Sequence, residues 1–291
     1  MQPRLLNAAR PGMPARPATA APARPKTPPD TLSGLVDLAP DLPALPTVAL
    51  ATHRETGKPG ATAASVGALV ATDPALTARV LRLANSAFYG VARQVSAVPD
   101  AVMVLGMKGV RNLCLLAGTY PWLQAGLPAY GFAPGALLSH SLAAALGARS
   151  IAERAGLDAD AAFTAGLLHD LGKVALAMWF KPADGPIRSR DDEKRVLRFD
   201  HAQVGGELAR RWNLPLPLVG AISCHHMPCE GLEDAVHLGD VLAHLVEGTE
   251  PPEADADALL RCKTTPEELI TMAEELKPEY ERLKKMTEAC A

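Results

Sequence analysis

The sequence predicts an all-α protein, and three observations carry that prediction. Hydrophobic residues make up 48% of the 291-residue chain but aromatic residues only 4%, with alanine and leucine dominant. Unbranched side chains of that kind lose little rotamer freedom in a helix. Apolar residues also recur at helical spacing behind capping residues, in one segment after another. No segment alternates convincingly at the period of two that a half-buried strand requires.

Residues 1–30, MQPRLLNAARPGMPARPATAAPARPKTPPD, stand apart, rich in Pro, Ala and Arg with Asp30 as their only acidic residue. Repeated prolines remove backbone donors and forbid a continuous helix, so a disordered tail is expected, with a basic tether as the functional alternative. From Leu38 the character changes. In ATDPALTARVLRLANSAFYG, Asp73 can cap a helix and Pro74 fits its first position. Leu76, Val80 and Leu83 form the apolar stripe, and Asn85-Ser86 and Gly90 mark the end.

A second helix is expected from near Pro99, carrying Val102, Leu105, Val110, Leu113 and Leu116. Gly106 and Gly109 interrupt it, where close packing or a bend is expected. Arg79, Arg82, Arg93, Lys108 and Arg111 lie in this half; solvated helix faces explain them more simply than a convergent phosphate patch. Residues 121–134, PWLQAGLPAYGFAP, read as a turn-rich joint.

GALLSHSLAAALGARSIAERAG is apolar almost all round and is therefore a buried helix, with His140 inside it. A helix carrying AGLLHDLGKV follows, and the charged residues 181–199 are expected to form a mobile surface loop. Asp200 caps DHAQVGGELARRWNLP, with Gln203 placed for a capping box and Pro215 and Pro217 ending the helix. LVGAISCHHMP is a short helix stopped by Pro228, and LEDAVHLGDVLAHLVEG is another ending at Gly248. The last helix has Thr265 as cap, Pro266 at its first position and Glu268 completing the box.

The net charge of −3 gives no global pull toward nucleic acid. The cysteines, Cys114, Cys224, Cys229, Cys262 and Cys290, form no Cys-x-x-Cys pair and read as reduced thiols. No unbroken apolar run approaches the roughly 18 residues of a membrane span, and the N-terminus has no signal-type apolar core. A cytoplasmic protein without membrane contact is expected.

The histidines carry the chemistry. His140, His169, His201 and the adjacent His225-His226 fall on separate segments, with His237 and His244 less clear. Asp170 and Asp240 are the matching carboxylates; a buried Asp is costly unless it is paired or bound to a cation. Imidazole with carboxylate suits Fe, Mn, Zn or Ni, with no thiolate required. A polar, metal-free core is the bland alternative for each histidine alone; the set together favours a metal. Cys224 and Cys229 flank the His pair at no ordinary zinc spacing and read as packing thiols.

His169-Asp170 followed by Gly-Lys resembles the HD superfamily of metal-dependent phosphohydrolases. LPALPTVAL, VATDPALTARVLRLANSAFYG, AVMVLGMKGVRNL, AGLLHDLGKVAL and DHAQVGGELARRWNLPLPLVGAISCHH resemble, in that order, the HDOD family of bacterial signalling proteins. The resemblance covers about residues 38–247 and implies an N-terminal helical lobe (38–125) packed on an HD-like lobe (126–247); a linker and the capped C-terminal helix (248–291) lie beyond it. It implies His169, Asp170 and Asp240 as metal ligands, with His140, His201, His225 and His226 as the further ligands of two-metal members. One or two divalent transition ions are expected, Fe or Mn ahead of Zn or Ni.

MPCEGLEDAV after the His pair is not the Gly-Tyr-Pro segment of the related cyclic di-GMP phosphodiesterases. Ala136 also stands where some of those enzymes place a Glu ligand, so the resemblance does not extend to their substrate. The functional expectation is a signalling output or scaffold module answering to a protein partner or a nucleotide. A metal-dependent phosphohydrolase acting on a nucleotide or phosphodiester is the alternative, with Asp170 on the metal and Lys173 steadying the phosphate charge. A nucleotide sensor acting through the arginine-bearing lobe is a third.

Overall fold

The computed structural model describes residues 28–37, 47–86, 89, 91 and 93–288. Among these every regular element is helical, as expected, apart from one bridge between Leu127 and Phe132. Most of the 1–30 segment, Gly90 and Cys290 lie outside the described residues.

Residues between the expected tail and Leu38 form a helix that sequence reading passed over, α1 (Leu32–Asp37). Leu35 and Val36 are buried in a small core with Leu176, Leu197, Val204 and Leu208, and Arg211 ties Asp37 and Ser33 to the body. Then come α2 (Thr47–Thr56), α3 (Ala63–Val70) and α4 (Pro74–Ala84). Asp73 caps α4 by accepting from the Leu76 N–H, and Asn85 ends it.

The long α5 (Val98–Leu123) packs against α2, α3 and α4. It bends at Gly106, whose φ of 75° and ψ of 169° leave the helical region. Only a residue without a Cβ takes that conformation readily. By length and composition α5 is apolar enough to cross a membrane, a property that scanning for unbroken apolar runs misses; half of its apolar window is buried in this fold. Two of the basic residues are engaged by the protein itself: Arg79 donates to the Ala117 carbonyl and Lys108 pairs with Asp160 at 2.8 Å.

The turn-rich joint contains a short 3-10 turn, Pro128–Tyr130, though Pro121 still belongs to α5. Next are α6 (Ala136–Ala155), α7 (Ala159–Leu168), α8 (Leu171–Ala177), α9 (Arg190–Leu197), α10 (His201–Arg211), α11 (Leu216–Cys224) and α12 (Leu232–Glu247). Finally α13 (Ala256–Arg261) precedes α14 (Pro266–Glu288), whose Thr265–Glu268 capping box forms as expected. One apolar core runs from Ala49 of α2 to Met286 of α14, so both halves of the chain share it.

Three local expectations are corrected. His169 and Asp170 do not ride inside one helix: His169 caps the end of α7, and Asp170 (φ −95°, ψ 2°) precedes α8. The apolar pattern runs on through this corner without a breaker, which hides it from sequence. Residues 181–199 are not all loop, because Ser189 caps α9 and places Glu193 and Leu197 on its buried face. His225 and His226 follow the end of α11 instead of lying within it.

Two glycines set the spacing around the site. At Gly172 of α8 a Cβ would collide with the His201 carbonyl of α10, so these helices can approach only without a side chain there. At Gly239 of α12 a Cβ would lie 2.6 Å from the Ala148 backbone nitrogen of α6. That contact brings His140 of α6 beside Asp240 of α12.

Candidate metal centre

All seven residues singled out as ligands, His140, His169, Asp170, His201, His225, His226 and Asp240, come together at one end of the α6–α12 pair. Asp170 stands between two groups. Its Oδ2 faces His140 Nε2 at 3.7 Å and His169 Nε2 at 3.6 Å, while its Oδ1 meets His201 Nε2 at 3.1 Å. Asp240 Oδ1 lies 3.0 Å from His140 Nε2 and 3.8 Å from His169 Nε2. On the other side, His226 Nε2 is 2.9 Å from His201 Nε2, with His225 packed against both rings. Donor atoms within 4.8 Å of one another define the groups His201–His225–His226, His140–Asp240–His244 and His140–His169–Asp170.

The rings are held for ligation. His169 Nδ1 donates to the Gly166 carbonyl at 2.7 Å and His225 Nδ1 to the Ile222 carbonyl at 2.8 Å. Each therefore aims an Nε2 lone pair inward, and those two nitrogens are buried without a partner. An unpaired buried acceptor is costly, and a metal ion is what such a lone pair fits. The Lys173 ammonium, 2.6 Å from Asp170 Oδ2, already occupies a place beside the carboxylate that a cation favours. The donor set of imidazoles and carboxylates matches a divalent transition ion.

Residues that sequence reasoning missed orient this set. Glu193 of α9, fully buried, binds the His201 ring at Nδ1 (2.9 Å) and its backbone N–H (2.8 Å), and accepts from the Tyr130 hydroxyl. Its signal was the four-residue step to Leu197 on one helix face, obscured by the flanking charges. Glu247 accepts from His140 Nδ1 at 3.0 Å, and His244 stands 3.7 Å from Asp240. Asp240, His244 and Glu247 share one face of α12 by spacing, a pattern legible in the sequence. His237 is not a ligand: it donates to the His225 carbonyl and accepts from the Asp255 N–H.

The electrostatics divide the site. Burial opposes charge on His140, but Asp240 and Glu247 outweigh it and raise its pKa to about 10. Burial would raise Asp170 and Asp240, yet their partners hold both well below the usual carboxylate range: chiefly the Lys173 ammonium, with the His201 hydrogen bond, for the first, and the hydrogen bond from His140 for the second. Burial keeps His169 and His225 neutral, and burial with nearby His201 lowers His226 to about 3. Burial and Lys173 oppose charge on His201, but Asp170 and Glu193 raise it.

The centre opens on two clefts that share Phe132, Lys173 and His244. One, of about 560 Å³, has α14 as a wall; the other, of about 450 Å³, is walled by residues 187–190. A helical two-part fold enclosing this cluster is joined by a match of the HDOD domain family to residues 42–228. The chain belongs to the HDOD family. Asp240, His244 and Glu247 lie beyond the matched segment of this HDOD protein.

Among curated relatives, an uncharacterized protein of Treponema pallidum is 29% identical over 215 residues, 67% of this chain and 39% of its own length. Ribonuclease Y of Thermus thermophilus is 36% identical over 92 residues, 32% of this chain and 13% of that protein. The chain thus spans well under half the length of these relatives. Among solved structures, a protein of Shewanella amazonensis described as a candidate phosphohydrolase superposes with a TM-score of 0.68 at 24% identity, covering 87% of this chain and 97% of that one. A candidate signal transduction protein of Marinobacter aquaeolei also gives 0.68 at 24% identity, covering 87% and 61%. These two likenesses establish the shared fold.

Proposed function

We propose that this HDOD protein serves bacterial signal transduction through an HD-type centre that holds one or two divalent transition ions, Fe or Mn, and hydrolyses a phosphate ester. The observation that carries the reading is the pair of buried, unpartnered nitrogens, His169 Nε2 and His225 Nε2, aimed into a carboxylate-bearing cluster that opens on clefts. Two such lone pairs converging on carboxylates fit a cation better than they fit a hydrogen-bonded polar core. The signalling role is supported by family membership and by the description of the Marinobacter protein. The hydrolytic role is supported by that of the Shewanella protein.

His140, His169, Asp170 and Asp240 would hold one ion, and Asp170, His201, His225 and His226 a second. When bound, the metal supplies Lewis acidity toward a phosphoryl oxygen and activates water. Hydrolysis adds water across one P–O bond, hydroxyl to phosphorus and proton to the departing oxygen. Lys173, at the junction of the clefts, holds its charge where a phosphoryl oxygen would share it with Asp170. His244, kept neutral mainly by burial, hydrogen-bonds the Thr249 hydroxyl through Nδ1 and is free to take a proton at Nε2.

Metal analysis of protein purified without chelators, paired with a panel of nucleotides and phosphodiesters, tests the proposal. Metal is expected in the purified protein, and at least one substrate should turn over with Mn or Fe. Lys173→Ala should lower kcat more than it weakens binding, because a charge that acts mainly in the transition state behaves that way. A fully metal-loaded protein inert toward the whole panel would leave a scaffold role, with the metal structural.

A further inference from the structure

His237 lies three residues before the ligand Asp240 on α12 and stands outside the three metal groups. It is 6% exposed, so each ring nitrogen needs a partner inside the protein. Both partners are backbone groups from outside α12. Nδ1 faces the His225 carbonyl at 2.8 Å, and Nε2 accepts from the Asp255 N–H at 2.9 Å. A backbone N–H can only donate, so Nε2 carries a lone pair and the ring proton sits on Nδ1. That proton points at the backbone of a ligand.

The His225 carbonyl needs such a donor. It stands at the end of α11, where carbonyls have no partner within the helix. The Cys229 N–H, which a longer helix would bring to it, donates instead to the Glu233 carboxylate at 3.0 Å. Thus α12 holds both ends of the 225–229 corner, through side chains one turn apart. Inside that corner the His225 ring is fixed to the Ile222 carbonyl, and His226 Nε2 reaches His201 Nε2 at 2.9 Å. Holding the backbone of the corner holds the aim of both imidazoles.

The far side of the link is anchored on α13. Asp255 caps that helix by accepting from the Ala258 N–H at 2.8 Å. Arg261 of α13 forks onto the buried Asp234 of α12 with two contacts of 2.8 Å. Together they fix the Asp255 backbone against α12, one turn from His237. A continuous polar chain therefore runs from α13 through His237 to the His225 carbonyl.

We infer that His237 is a positioning residue of the centre: locked in one tautomer by the Asp255 N–H, it sets the His225–His226 corner for ligation. The inference rests on the metal reading of the centre and adds a residue beyond the ligand set. It also makes α13, which lies outside the segment matched by the HDOD family, a support of the site.

Two variants of the full-length protein test it. His237→Phe keeps a ring and removes both bonds; His237→Asn places an amide donor near the position of Nδ1 and gives up the Asp255 contact. Nitrogen-15 histidine spectra, recorded with chelator, should show His237 protonated on Nδ1 in the wild type. His237→Phe should shift the ring signals of His225 and His226 and leave those of His140 in place, and His237→Asn should restore them. Calorimetric titration with Mn should show affinity falling roughly tenfold in His237→Phe, the lower end for a contact that orients a ligand, and largely recovered in His237→Asn. A histidine that only held the fold together would lower the Tm in both variants without moving these readouts. A wild-type His237 protonated on Nε2, His225 and His226 signals unmoved in His237→Phe, equal Mn affinity in all three proteins, or an Asn variant as impaired as the Phe variant would overturn the inference. Equal Mn affinity would do so while keeping the metal reading. Signals that move and are rescued as expected, in a protein that takes up no Mn, would sustain the positioning of the corner and overturn the metal reading.

Discussion

His53 of α2 and His140 of α6 are both largely enclosed by protein, yet the fold treats them in opposite ways. His53 is 8% exposed; burial, with Arg111 and Arg54 nearby, lowers its pKa to about 4. His140 has a carboxylate at each ring nitrogen and its pKa rises to about 10. Burial alone makes a histidine neutral and structural. Burial beside Asp240, Asp170 and Glu247 makes it part of a charged centre, in which protons and Lys173 balance these carboxylates.

The largest break in this contrast should come from Asp170→Ala, because both halves of the centre use that one carboxylate. Bound metal, measured by elemental analysis, should fall to near nothing. Chelator should lower the Tm of the wild type and leave the variant unmoved; an ion present at about 100 times its Kd contributes about 2.7 kcal/mol. Were Asp170 only a hydrogen-bonded core residue, chelator would change neither protein.

Gly172→Ala sharpens the geometric side. The added methyl meets the His201 carbonyl, so α8 and α10 must part, at a cost of about 1–3 kcal/mol. The Tm should drop and metal content should drop with it, whereas Leu35→Ala, in the smaller core under α1, should lower the Tm by a cavity effect of about 2–5 kcal/mol and spare the metal. Equal metal loss in both variants would mean that general destabilisation empties the site.

A one-sided effect is expected from Glu193→Gln. Glu193 fixes the His201 ring but touches no other ligand histidine, so the His201–His225–His226 group should lose about 10–100-fold in metal affinity. The His140–Asp240 group should keep its ion, which titration with Mn would register as one surviving site.

The smallest effect belongs to the lone histidine. His53 is neutral when folded down to about pH 4 and titrates near 6.5 when unfolded, so between these values the unfolded chain binds more protons. Its contribution is present above about pH 6.5 and is lost as pH falls through that window toward 4. His53→Gln should therefore remove part of the acid sensitivity, narrowing the difference in unfolding free energy between pH 7 and pH 5 by an amount on the order of 1 kcal/mol, read by denaturant unfolding at the two pH values. An unchanged slope would mean that His53 is not buried as described.

What could be read along the chain was whatever depends on neighbours within a few residues. The Asp73–Pro74 start of α4, the Thr265–Glu268 box of α14 and the buried stripe of α6 are local, since caps and helical periodicity join residues three or four apart. The ligand residues were legible as types, because His and Asp inside apolar runs need a reason to be there. The corner at Asp170 and the inward turn of Glu193 were not legible, for neither follows from local spacing alone. They are decided where α8 and α9 meet α10: Gly172 admits the His201 carbonyl, and His201, brought that close, leaves Glu193 a partner for its buried charge. Tertiary packing likewise placed α14 beside the centre, because the apolar face of that helix, Leu269, Met272, Tyr280 and Leu283, finds its cover in the shared core. Local sequence chose the chemical groups; the burial of distant apolar faces chose which of them would meet.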